Sequence, residues 1–311
     1  MRAVAVRTFG GPEVLEVVEL PDPEPGPGEV RVRVHAATVN PTDISFRSGR
    51  SAEALAAFPP PYVPGMELAG TVDALGPGSS WEVGQRVLGI AQPSRNGRGA
   101  QSELVVLPND SIALIPGGAS FEAAATLPMN GLTVRRGLDL LALPAGATIV
   151  VTGAAGGVGG YAVELAKADG LKVVAIAGAD DEVLVRSFGA DRFVARGPGA
   201  IDAARELAEG GAAGLFDAAV IGPPALAAVR DGGKVAVVRA VEAGNERGIE
   251  VHHVRVGDYA TNRPALEALA ALVLAGRLTL RVAETYPPEQ AAIAQQRLAA
   301  GGTRGRLVII F

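Results

Sequence analysis

The chain contains no cysteine. Disulfides are therefore excluded, and the usage fits a cytoplasmic protein. Histidine is almost as scarce, with only His35, His252 and His253 in 311 residues. None has the His-x-x-x-His or HExxH spacing, and with no thiolate to add, a catalytic zinc is not expected. Lysine occurs only at Lys167, Lys172 and Lys234, the other basic residues being arginine, which reads as coding bias. No apolar run is long enough to span a membrane. Met1–Arg7 leads straight into an alternating segment, so no signal peptide is expected. A net charge of −5 leaves no basic excess for a nucleic-acid partner.

What is present describes a globular protein. Hydrophobic residues make up 48% and charged residues 20%, over a length sufficient for two domains. Residues 1–120 lack helical periodicity. Ala3–Arg7, Leu15–Glu19, Val30–Val39, Leu68–Ala74, Arg86–Ile90 and Glu103–Leu107 read as short strands split by glycine and proline. Together they predict a small, partly open β-barrel. In Val30–Val39 the alternation turns Val32, Val34 and Ala36 inward and His35 outward to solvent. Asn40-Pro41-Thr42-Asp43 ends that strand and starts a helix, with Asn40 as cap and Pro41 at the first helical position. Phe58–Pro64 is a proline-rich loop.

From Phe121 the period changes. Phe121–Thr126 and Leu132–Leu141 read as helix, interrupted at Pro128. The centre of the chain is Ala147–Ala190. Thr148–Thr152 is a buried strand, followed by a turn with Gly153, Gly156, Gly157, Gly159 and Gly160. Tyr161–Ala168 is an amphipathic helix closed by Gly170, and Val173–Ile176 a second buried strand. A glycine turn between strand and helix suits a pyrophosphate, because the backbone comes close and the helix N-terminus favours an anion. It is not a Walker loop, since no Gly-Lys-Ser/Thr follows. It is not a short-chain dehydrogenase turn either: none of Tyr62, Tyr161, Tyr259 and Tyr286 has a lysine four residues on. Candidate coenzyme contacts are Gly153, Ala155, Gly156, Gly157, Val158 and Gly159.

Phe216–Ile221, Lys234–Val238 and Gly248–Val256 read as further buried strands, giving a doubly wound parallel sheet. Ile221 and Val238 end two of them and so fall on its ligand-binding edge. The second strand of the unit ends in Gly178-Ala179 rather than in an acid. That removes the group that repels a 2′-phosphate and favours NADPH over NADH. Arg196, and after it Arg186, are the candidate cations for that phosphate. Asp180 and Asp181 read as the start of the next helix. In the tail, Arg263–Ala275 and Pro287–Ala299 are helices and Leu278–Val282 and Arg306–Phe311 strands, returning to the first domain.

The order of motifs is recognisable. Phe9-Gly10-Gly11-Pro12-Glu13-Val14-Leu15, Asn40-Pro41-Thr42-Asp43, Pro64-Gly65-Met66-Glu67-Leu68-Ala69-Gly70-Thr71-Val72 and Gly84-Gln85-Arg86-Val87 come first. Leu127-Pro128-Met129-Asn130-Gly131-Leu132-Thr133, Ala154-Ala155-Gly156-Gly157-Val158-Gly159 and Gly189-Ala190-Asp191 follow. Over essentially its whole length the chain resembles the zinc-independent, zeta-crystallin-like quinone oxidoreductases of the medium-chain dehydrogenase/reductase superfamily. The resemblance implies an α/β fold in two parts. A GroES-like catalytic domain would comprise residues 1–121 and 258–311, and a Rossmann nucleotide domain residues 122–257, with NADPH in the cleft between them. It implies hydride transfer to a quinone or other enone without metal. The alternatives are an enoyl-thioester or alkenal double-bond reductase, and a non-catalytic NADPH-binding redox sensor or structural protein.

Further expectations come from the resemblance. Asn40 and Asp43 would be catalytic residues, Asn40 facing the nicotinamide and donating to a substrate carbonyl. Thr133 would lie near the nicotinamide ribose, and Asn40, Ser45 and Asn130 would line the substrate pocket. Tyrosines common in relatives after the Asn-Pro-x-Asp stretch are replaced by Ser45 and Ser51. Glu67 reads as a structural carboxylate. The apolar edge strand Ile249–Val256 would be a liability unpaired, so a homodimer joined along it is expected.

Overall fold

Alternation of apolar and polar residues writes the first sheet. In the computed structural model, which describes residues 1–239 and 247–311, Val30, Val32 and Val34 point into a buried cluster while Arg31 and Arg33 face out and share Asp73. They lie on β3 (Glu29–Thr38), which pairs with β4 (Glu67–Leu75) along one edge. The other edge is divided. Residues 29–33 face β6 (Leu104–Pro108), and residues 36–38 face β15 (Arg306–Ile310). β5 (Arg86–Ile90) and β7 (Ile112–Leu114) continue beyond β4, and β14 (Val282–Tyr286) lies parallel beside β15. The end strands β14 and β7 do not pair, so the sheet is a partly open barrel. β1 (Arg2–Val6) and β2 (Leu15–Glu19) form a separate antiparallel pair. Helices α1 (Pro41–Arg47), α2 (Ala52–Leu55), α3 (Pro93–Asn96), α4 (Phe121–Ala124), α9 (Arg263–Leu274) and α10 (Ala291–Ala299) accompany these strands.

The second sheet is parallel throughout. β8 (Thr148–Thr152), β9 (Lys172–Ala177), β10 (Arg192–Ala195), β11 (Ala212–Asp217), β12 (Val229–Val237) and β13 (Glu250–His253) lie in the order β10-β9-β8-β11-β12-β13. Relative to the first strand β8 this is the 3-2-1-4-5-6 order of a dinucleotide-binding fold, and the chain reverses direction across the sheet between β8 and β11. Near-continuous apolar runs such as Ile149–Val151 are buried because helices α5 (Pro128–Leu141), α6 (Gly157–Ala168), α7 (Glu182–Ser187) and α8 (Ala200–Leu207) accompany the strands. The chain divides into two compact units, one of residues 1–129, 260–274 and 280–311, the other of residues 130–259 and 275–279. The first division falls inside α5, later than the expected 121/122. Among the described residues no helix is long and apolar enough to cross a membrane.

Several expected elements are displaced. Pro128 opens α5 instead of interrupting a helix, as its missing N–H allows. β11 stops at Asp217, short of Ile221, because the Asp217 carboxylate takes the Ile221 and Gly222 amides and folds the chain back. The expected strand Leu278–Val282 is not formed. Thr279 donates its amide to Glu164 in the second unit, and the strand begins only at Val282, where it meets Arg306. The final strand of the parallel sheet is four residues long, not the nine of Gly248–Val256.

Candidate functional site

At the sheet reversal, β8 leads into the glycine turn. Gly153 has φ +62°, where a side chain would be strained. The helix begins at Gly157, four residues before the expected Tyr161, so the glycines form its first turn. Gly156 is the N-cap and supplies no capping side chain. The first-turn amides of a helix have no partner within it. Among the described residues a Cβ on Gly156 would meet only the Gly153 carbonyl, at 3.2 Å. A Cβ on Gly159 would lie 2.1 Å from the same carbonyl. Gly156 thus leaves room for an anion, whereas Gly159 lets helix and turn pack closely. A glycine-lined helix N-terminus at a sheet reversal fits a dinucleotide pyrophosphate.

The expected ribose end lies beside it. Gly178 follows β9, and a Cβ there would lie 2.7 Å from Asp181 Oδ2 and 3.9 Å from Arg196 Nε. Arg196 is exposed, and its amide donates to the Ala177 carbonyl, which sets its side chain near Gly178. Arg186, the other candidate, is paired with Glu182 one turn back. Asp181 ends a 3₁₀ turn and stands at the N-cap of α7, as expected, and its buried carboxylate lies against Gly178. Ile221 lies four residues past the end of β11, and Val238 one residue past β12.

In the first unit Asn40, Asp43 and Glu67 are brought together in a buried network. Asn40 sits at the N-cap of α1, yet its side chain does not cap the helix. Its Nδ2 donates to Thr38 Oγ1 at 3.0 Å and to Glu67 Oε1 at 3.3 Å, and its Oδ1 accepts from Arg306. Asn40 is 1% exposed, with its side-chain amide turned into this network. Arg306 Nη2 also donates to Thr38 Oγ1 and, at 2.6 Å, to Glu67 Oε1. Glu67 Oε2 accepts the Met129 amide at 2.7 Å. Asp43 is a second buried carboxylate. It accepts from the amides of Asn40 at 2.8 Å and Gly65 at 3.1 Å and from Gln101 Nε2 at 3.2 Å. Burial pushes its carboxyl up to about 7, against the pull of those donors. It anchors α1 to the loop before β4 and does not face an opening.

The remaining candidates are scattered. Ser45 donates its hydroxyl to the Pro41 carbonyl of its own helix. Asn130 and Thr133 are buried on α5 in the second unit. His35 is not turned to solvent: it is half-buried, stacked on Phe121 at 4.3 Å, with Arg86 on the same ring. Burial and the charges of Arg33 and Arg86 lower its pKa. Thr38, Gln101 and Arg306 escaped the sequence reading, as did Thr152 and Asp217. The available signal was a lone acid or guanidinium in an apolar run, as in Leu215-Phe216-Asp217 and Arg306-Leu307-Val308, which must find a partner once buried.

Two family models match the chain. Residues 26–117 match the alcohol dehydrogenase GroES-like domain, and residues 157–265 the domain described as zinc-binding dehydrogenase. The chain belongs to the medium-chain dehydrogenase/reductase superfamily, with a GroES-like barrel and a Rossmann sheet. The quinone oxidoreductase of Homo sapiens is 28% identical over all of this chain and 98% of its own length. That of Sus scrofa is 33% identical over 58% of this chain, and the chain spans only about half, 54%, of its length. A solved NAD-dependent alcohol dehydrogenase superposes with TM-score 0.86 at 30% identity over the whole of both chains. A mycobacterial protein solved with NADPH gives 0.87 at 29% identity, again over the whole of both.

The zinc in the second family's description does not fit the donors of this chain. There is no cysteine, His35 is stacked on Phe121, and no group of three or more His, Asp and Glu residues capable of holding a metal occurs among the described residues.

Proposed function

We propose that the protein is an NADPH-dependent oxidoreductase that reduces a quinone or another small enone without a metal ion. One observation carries the reading: the glycine-lined N-terminus of α6, set at the sheet reversal with Arg196 beside Gly178. The first-turn amides of α6 would hold the pyrophosphate, and Arg196 the 2′-phosphate. The bound coenzyme would supply the hydride. The chain's residues then need only bind and orient, and water can deliver the proton. The quinone oxidoreductase relatives support the acceptor class, and the neighbour solved with NADPH supports the coenzyme. The absence of cysteine supports a cytoplasmic location.

The burial of Asn40, whose amide is turned into the network of Thr38, Glu67 and Arg306, favours a second reading, coenzyme binding without turnover. The test is NADPH oxidation by the chelator-treated protein with a panel of quinones, enones, alkenals and enoyl thioesters. Quinone-dependent oxidation without added metal supports the first reading. Tight coenzyme binding with no turnover on any acceptor would leave the second.

A further inference from the structure

β8 and β11 are the two strands on either side of the sheet reversal, and their last residues, Thr152 and Asp217, are paired in register. Thr152 Oγ1 donates to Asp217 Oδ1 at 2.6 Å. The same hydroxyl accepts the Ala219 amide at 3.0 Å. Asp217 Oδ1 also accepts the Ile221 amide at 3.1 Å, and Oδ2 the Gly222 amide at 2.9 Å. Both side chains are buried. One hydroxyl and one carboxylate thereby hold three backbone amides of loop 218–222, those of Ala219, Ile221 and Gly222, against the first strand.

That loop has two further peculiarities. Val220 adopts φ +56°, a left-handed conformation unfavourable for a β-branched residue, so the loop must be held in place by other bonds. Val220 and Ile221 are also 39% and 37% exposed, two adjacent large apolar side chains displayed at the ligand-binding edge. The loop touches the glycine turn directly: a Cβ on Gly153 would lie 3.2 Å from the Ala219 amide nitrogen. Loop and turn form one continuous surface within the second unit.

We propose that Asp217, with Thr152, is a positioning residue for the coenzyme, fixing loop 218–222 so that Val220 and Ile221 form an apolar wall beside the glycine turn. The inference rests on the coenzyme reading above. The carboxylate is required because three donors converge on two oxygens. An asparagine keeps one oxygen, and in either orientation of its amide the nitrogen faces a backbone N–H, donor against donor. Without the clamp the loop relaxes from its strained form. The competent fraction falls, and the apparent dissociation constant rises in inverse proportion.

The experiment compares wild type with Asp217→Asn, Thr152→Val and Thr152→Ser. Dissociation constants for NADPH and NADH are measured by titration calorimetry, and amide exchange over 218–222 in the ligand-free protein. Asp217→Asn and Thr152→Val are expected to raise both dissociation constants by about tenfold and to speed exchange at Ile221 and Gly222. Thr152→Ser, which keeps the hydroxyl, is expected to restore both. A loop that exchanges faster while coenzyme affinity stays unchanged would overturn the inference, reducing the clamp to a structural one. Should Asp217→Asn fail to fold, Thr152→Val decides by the same two readouts. If wild type bound neither coenzyme, the proposed function itself would fall.

Discussion

Glu67 and Arg306 form an ion pair at 2.6 Å, their side chains 0% and 8% exposed, although 239 residues separate them in sequence. The pair joins β4 to β15, two strands that do not touch in the sheet order. Truncating one partner strands the other charge in the interior, at a cost of about 3–5 kcal/mol. Arg306→Met is therefore expected to lower the urea midpoint sharply, and Glu67→Leu to do likewise. The double variant should recover much of the loss, because it removes both charges. Strictly additive losses would show that the pair is not coupled.

Asp43 makes stability depend on pH. Its carboxyl sits at about 7 in the folded protein against an ordinary 3.8, with burial as the largest cause. The folded state thus binds the proton more tightly than the unfolded chain. This contribution is fully present below the ordinary value and is lost as pH rises through about 7, with an upper bound of about 4 kcal/mol. Urea unfolding from about pH 4 to about pH 8 should show it, and Asp43→Asn should flatten that part of the profile. An identical slope in wild type and variant would exclude Asp43 as the source.

Gly156 and Gly159 are expected to respond differently to valine. Among the described residues Gly156→Val meets only one backbone atom, at 3.2 Å, so the variant should fold, with coenzyme affinity reduced at least about tenfold. Gly159→Val drives a side chain into the Gly153 carbonyl and should destabilise the second unit itself. Melting curves and coenzyme titration separate the two outcomes. A folded Gly156→Val variant with normal affinity would place the pyrophosphate elsewhere.

Arg196→Ala should weaken NADPH binding by about tenfold to a hundredfold and leave NADH binding unchanged, as expected for loss of a charge-assisted phosphate contact. Equal loss for both coenzymes would discard the 2′-phosphate role. Tighter NADH than NADPH binding by wild type would discard the coenzyme preference as well.

A homodimer is expected from β13, which ends the parallel sheet and has one edge without a strand among the described residues. Light scattering at micromolar concentration should give twice the chain mass of 31.5 kDa. A single chain mass would refute it.

How far the sequence could be read depended on distance along the chain. β2 and β5 were legible to the residue, because alternation records which face is buried. The strand-turn-helix at Gly153–Gly159 was legible because its parts are adjacent. Arg306 was not: nothing in Arg306-Leu307-Val308 says which distant carboxylate it meets. Asn40 was legible as a cap position, but the partners of its side-chain amide were not, since they lie at 38, 67 and 306. Asp217 looked like the interior of a strand. Only the fold shows that it ends one and collects the amides beyond it.

The place of β15 between β3 and β14 governs the order in which the protein can be built. On the ribosome β3 emerges early, but the arginine that donates to Thr38 is translated 268 residues later. Residues 130–259, by contrast, hold all six strands of the parallel sheet and can close soon after they leave the exit tunnel. The amino-terminal unit, begun first, is finished last. Until then β3 waits with residues 36–38 of its edge open, so chaperone engagement during translation should fall on the first unit.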